Sequence, residues 1–79
     1  MTKKFTHLQG QYLAFIHAYS KVHRRSPSEG DMRMFFHVTG STIHQMIQTL
    51  EKGGFISKVP HQPRSLNILL PSSELPELE

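Results

Sequence analysis

The sequence contains no cysteine and no tryptophan, and its 79 residues carry six acids against nine lysines and arginines. Without cysteine, neither a disulfide framework nor a thiolate zinc site can stabilise so short a chain. Long apolar stretches are also missing. The longest run, Tyr12 to Ile16, falls far short of the ~18–20 residues that cross a bilayer. The start, Met1-Thr2-Lys3-Lys4-Phe5, has positive charge but no small-residue cleavage pattern after it, which argues against a secretory signal. Neither a phosphate loop nor a serine-histidine-aspartate pattern with supporting glycines is found, and only Glu29, Asp31 and Glu51 precede the last nine residues as acids. Catalysis is therefore not expected, and no cofactor is implied. Six histidines are present, His7, His17, His23, His37, His44 and His61, but no two stand three or four apart on one helix. That spacing excludes a recognisable zinc motif. A chain of this length forms one domain and buries only ~60–65% of its unfolded surface, so a deep catalytic cleft is hard to build. What remains is a small, basic, soluble module, expected in the cytoplasm and held together by packing.

The apolar residues that are present fall at regular spacings. Leu8, Tyr12, Phe15, Ile16, Tyr19 and Val22 recur every three or four positions, which predicts a helix from about Thr6 to Arg24 with Thr6 as its cap. Pro27 disfavours helical geometry at Ser26 and ends that helix. Ser28 and Asp31 form a capping-box pair at the head of a second, short helix, Glu29 to Phe36, with Met32, Phe35 and Phe36 at helical spacing. After His37-Val38-Thr39-Gly40, a third helix carries Ile43, Met46, Ile47 and Leu50 on one face. Thr39 or Ser41 can cap it, and Gly53-Gly54 ends it. The pattern then changes. Phe55–Val59 and Leu66–Leu70 read as two short strands joined by a proline-containing loop, a hairpin rather than part of a wide sheet. Residues 71–79 have two prolines and three glutamates, and are expected to form a disordered acidic tail. The predicted fold class is α+β, mainly α: three helices followed by a two-stranded hairpin over residues 1–70.

This order is that of a winged helix-turn-helix. Met32, Phe36, Val38, Ile43 and Met46 occupy the five customary apolar positions of the helix-turn-helix pattern. The stretch VTGSTIHQMIQTLEKGGFI, a hydroxyl-rich helix start leading to Leu-Glu-Lys-x-Gly and a first wing strand, strengthens the match. From Phe5 to Leu70 the chain resembles the amino-terminal DNA-binding domain of LexA-type repressors and, more loosely, MarR-type regulators. No counterpart of the self-cleaving carboxy-terminal domain of LexA-type repressors occurs in these residues. Two positions depart from the pattern: Arg33 stands where a small residue is usual, and His37 where the turn usually has glycine. Both bear on the crossing angle of the second and third helices.

The resemblance implies sequence-specific binding to double-stranded DNA and transcriptional regulation. The third helix would enter the major groove and the wing would lie on the backbone or in the minor groove. Ser41 and Thr42 suit phosphate contacts at the helix start; His44, Gln45 and Gln48 suit base edges, and glutamine can pair bidentately with adenine. On the hairpin, Lys58, His61 and Arg64 suit phosphates or the minor groove. The plainer reading of the same residues is a solvated helix face and an ordinary charged turn. Lys3 and Lys4 form a possible basic arm, whereas Lys21, Arg24 and Arg25, like Lys52, complement the negative ends of helices. Most of the aromatics, Tyr12 and Phe15 among them, are placed inward by their spacing, and surplus aromatic surface on the first helix would support a homodimer. A second function class stays open: a winged-helix protein-protein interaction module without DNA binding, suggested by the lack of any lysine or arginine from Ser41 to Leu50. No membrane or small-molecule partner is evident.

Overall fold

A computed structural model describes residues 4–79. Three helices, α1 (His7–His23), α2 (Glu29–Phe36) and α3 (Gly40–Lys52), precede a two-stranded antiparallel hairpin of β1 (Ile56–Ser57) and β2 (Asn67–Ile68). Ile56 pairs with Ile68 and Ser57 with Asn67. The architecture is the predicted mainly helical α+β arrangement. The strands are shorter than the apolar runs that signalled them, because the prolines of the loop keep its flanks out of the ladder. Leu69 N still donates to Phe55 O at 2.9 Å, continuing the register by one bond. Lys3, assigned above to a basic arm, lies outside the described residues.

Each helix begins where its local chemistry requires. Thr6 Oγ1 accepts from Gln9 N at 3.1 Å, and Gln9 Oε1 accepts from Thr6 N at 2.9 Å, a complete capping box. The same reciprocal pair links Ser28 and Asp31. Between the two possible caps of α3 the structure selects Thr39, whose hydroxyl accepts from Thr42 N at 3.3 Å. α3 stops at the glycine pair: Gly54 takes a φ of 78°, and Phe55 N donates to Leu50 O at 3.0 Å.

The core joins Tyr12, Leu13, Phe15 and Ile16 of α1 to Met32, Ile43, Ile47, Leu50, Phe55 and Ile56. Seven consecutive residues, Gly10 to Ile16, are buried, so the middle of α1 is covered on all sides. Its ends are not. Leu8 is 53% and Val22 74% exposed, which corrects their placement on the buried stripe: the covering elements reach only the central two turns. Tyr12 stacks on Phe36 with centroids 4.0 Å apart, and Phe15 on Phe35 at 4.5 Å. Aromatic surface expected on α1 as a dimer contact is thus largely taken up inside the chain.

The last nine residues correct a second expectation. They are not a detached tail but fold back over α1. Leu75 and Leu78 pack against the core, and Ser72–Glu74 form a 3-10 turn. Gln11, itself buried, binds this segment at two points: its Nε2 donates to Glu77 O at 3.0 Å, and its Oε1 accepts from Glu79 N at 2.8 Å. Glu79 Oε1 also reaches His7 Nε2 at 3.2 Å. Gly10 permits the approach, since a Cβ there would stand 2.8 Å from the Phe5 ring and 3.0 Å from Pro76 Cγ. Two leucines within the acidic composition supply the apolar anchors that an average over the segment hides.

Candidate nucleic-acid interface

α3 has two unlike faces. Ile43, Ile47 and Leu50 are buried, which fixes the rotation of the helix and turns Ser41, Thr42, His44, Gln45, Gln48 and Thr49 outward. All six are exposed, and from Ser41 to Leu50 the helix bears neither a carboxylate nor a lysine or arginine. At its start, the Thr39 hydroxyl lies 3.2 Å from Ser41 Oγ and 3.0 Å from Thr42 Oγ1. These hydroxyls gather beside the unpaired amides and positive dipole end of the helix, a setting that favours anions. One turn on, Gln48 Nε2 and His44 Nε2 are 3.2 Å apart, the amide donating and the ring nitrogen accepting. Gln45 lends its carbonyl to Thr49 Oγ1 at 2.9 Å, while its side-chain amide makes no hydrogen bond among the described residues. The face therefore offers paired donors and acceptors without net charge.

α2 holds this face in place through a three-residue turn. His37 takes the left-handed conformation, φ 56° and ψ 48°, and its N–H donates to Arg33 O at 2.9 Å. The departure from glycine thus leaves the turn geometry intact, at the cost of a conformation histidine adopts rarely. Arg33 keeps its head in solvent, and its stem lies beside Gly40, where an added Cβ would meet Cδ at an ordinary 3.7 Å.

The wing is built differently. Val59 N donates to Ser65 Oγ at 3.0 Å, and Ser65 Oγ lies 2.8 Å from Gln62 O, closing the loop on itself. His61 is exposed and Lys58 half-buried; both line an open cleft of about 400 Å³ with Ser28, Glu29, Ile47 and Arg64. Arg64, expected among the wing's phosphate or minor-groove contacts, turns toward the helices. Its Nη1 donates to Asp31 Oδ2 at 2.9 Å, and lies 3.2 Å from the Tyr19 hydroxyl and 3.3 Å from Ser26 O. The next residue but one, Leu66, donates its N–H to Ser26 Oγ at 3.1 Å. Asp31 has a carboxyl held at about 2, below the usual carboxylate range, foremost by the Ser28 amide, with the Ser28 and Tyr19 hydroxyls and the Arg64 charge adding to it. This four-residue node was missed because each member already had a local explanation: Tyr19 as core, Ser26 as helix stop, Asp31 as cap, Arg64 as wing charge. The odd feature available in sequence was the pair of acids Glu29 and Asp31 in a region otherwise rich in cations.

Lys4, Lys21, Arg24 and Arg25 are exposed, Lys21 in the last turn of α1 and Arg24 as its left-handed cap. Among the described residues, no three histidines or acids are gathered to hold a metal ion, and no helix is long and apolar enough to cross a membrane.

With the helical face and wing located, known proteins give an independent comparison. No family model matches the chain. One curated relative is a repressor. The chain is 35% identical over 65 residues to the LexA repressor of Zymomonas mobilis subsp. mobilis, a match covering 81% of this chain and 30% of that protein. The chain accordingly spans less than a third of that relative's length. The likeness to LexA repressors inferred from residues 5–70 is thus supported at the level of sequence identity.

Proposed function

We propose that this chain is a winged helix-turn-helix domain that binds double-stranded DNA sequence-specifically and acts in transcriptional regulation. The observation that carries the proposal is the outward face of α3: Ser41, Thr42, His44, Gln45 and Gln48 exposed together on a helix whose opposite face is locked in the core. In the major groove, Ser41 and Thr42 would meet phosphates, while His44, Gln45 and Gln48 would read base edges. Lys58 and His61 would face the backbone from the wing. The likeness to a LexA repressor supports the same reading.

Half-sites read by paired helix-turn-helix units stand one helical turn, ~34–36 Å, apart. A homodimer of such units would place one copy on each half-site. Selection of bound duplexes from a random pool, followed by salt titration, tests the proposal. Enrichment of one sequence and loss of affinity with rising salt are expected. If folded protein retards no duplex even at low salt, the reading is wrong, and the protein-interaction alternative takes its place.

A further inference from the structure

Resting on the DNA-binding reading above, we propose that Arg64 is a positioning residue: it fastens the wing to the helix-turn-helix and does not itself touch nucleic acid. The node that it enters joins four parts of the chain. Tyr19 comes from α1, Ser26 from the α1–α2 loop, Asp31 from the first turn of α2, and Arg64 and Leu66 from the wing. Asp31 cannot follow a moving wing, because its carboxylate is also bound to Ser28 N at 2.9 Å as part of the α2 cap. The ion pair therefore ties the wing to the element that orients α3.

Electrostatics argue in the same direction. A phosphate approaching the Arg64 guanidinium would meet a carboxylate already 2.9 Å from Nη1. That carboxylate neutralises the cation and repels the phosphate. Arg64 also sits at φ 54°, a backbone conformation that non-glycine residues adopt rarely and keep where surrounding contacts enforce it. Its side chain is 32% exposed, and the Asp31 side chain 28%. The wing's free cationic groups for DNA are then Lys58 and, when protonated, His61. A change at Arg64 would reach DNA through the position of those groups.

The decisive comparison uses the full chain and a duplex chosen by selection. Asp31→Asn removes a negative charge, so bulk electrostatics alone would tighten DNA binding. If Arg64 acts through Asp31, this variant instead weakens binding about tenfold, as Arg64→Gln does, and the double variant is no weaker than Arg64→Gln alone. Hydrogen exchange at the Leu66 amide accelerates in both variants and stays unchanged in Lys58→Gln. Tyr19→Phe, which leaves the α2 cap whole, moves exchange and binding the same way by a smaller factor, and serves if Asp31→Asn fails to fold. The proposal is overturned if Asp31→Asn or Tyr19→Phe leaves binding unchanged or tighter while Arg64→Gln lowers the salt slope by about one, the signature of a lost phosphate contact. Should the wild-type chain bind no duplex, the DNA reading fails separately. The positioning role is then decided by exchange at Leu66 alone: unchanged protection in Arg64→Gln overturns it.

Discussion

The outer face of α3 and the wing carry the chain's candidate DNA contacts, yet they are organised by opposite means. On α3, residues spaced three and four apart are presented by the regular backbone, and what each side chain does is settled within one or two turns. His44 meets Gln48, and Thr39 meets Thr42. On the wing, the conformation depends on partners far away in sequence. Arg64 is held by Asp31, 33 residues away, and by Tyr19, 45 residues away. On the proposed DNA-binding reading, the helical face would fit its ligand by what it displays. The wing would present Lys58 and His61 from a loop whose support, through Arg64, faces inward.

The largest expected effect comes from removing what both regions share. Ile47 is 1% exposed beneath α3 and also lines the cleft against the wing. Ile47→Ala should cost about 2–5 kcal/mol of stability, the range for truncating a buried aliphatic side chain. Urea denaturation would measure it, and a loss below about 1 kcal/mol would mean that the two regions are not supported in common. Next are substitutions on the display surface alone. Gln45→Ala or Gln48→Ala should relax discrimination at one base position by about 1–3 kcal/mol while leaving the urea midpoint unchanged. Competition between duplexes that differ at single positions measures this, and an equal loss for every sequence would assign the glutamines to backbone contact.

The contrast also explains which parts of the molecule were legible in sequence. The caps at Thr6, Ser28 and Thr39 and the stripe Ile43-Ile47-Leu50 all depend on residues within one turn of one another, so periodicity and side-chain chemistry suffice to place them. The outward set on α3 follows from that stripe by geometry. Arg64 was placed in the wing but not turned inward, because a loop side chain's direction is decided by tertiary partners and by a left-handed φ that no arginine advertises. The C-terminal segment failed for a related reason. Composition averages three glutamates and two prolines into a solvated tail, whereas the packing is set by Leu75, Leu78 and one buried glutamine, Gln11. Leu8 and Val22 mislead in the reverse sense: they keep the helical period after the covering elements have ended.

Acid separates the two regions further. The Asp31 carboxyl is lowered from an ordinary 3.8 to about 2, chiefly by the Ser28 amide. Its contribution to stability is therefore fully present above the unfolded value and is lost as pH falls through about 2. Between about pH 4 and pH 2, the urea midpoint should drop in the wild-type chain, and this part of the drop should vanish in Asp31→Asn. The α3 face, lacking a carboxylate from Ser41 to Leu50, has no comparable response. Wing amides should consequently lose protection from exchange before those of Ile43 and Ile47 as the solution is acidified. Simultaneous loss would show that the node supports the whole domain and not the wing in particular.

The smallest effect tests the joint between α2 and α3, where the display surface acquires its orientation. His37 is exposed and left-handed, with φ 56°. A non-glycine residue in that conformation costs about 1–2 kcal/mol, whereas glycine escapes the clash but surrenders more conformational freedom on folding, about 0.5–1 kcal/mol. The two terms oppose, so His37→Gly should stabilise the chain by only about 0.5 kcal/mol. Because the turn already has the geometry that glycine would favour, base discrimination by Gln45 and Gln48 should remain unchanged. A thermal melt and the duplex competition together check this. Altered discrimination with a small gain in stability would mean that the imidazole, and not just its backbone, sets how α3 is presented, which would give the helical face a distant support of the kind that Arg64 gives the wing.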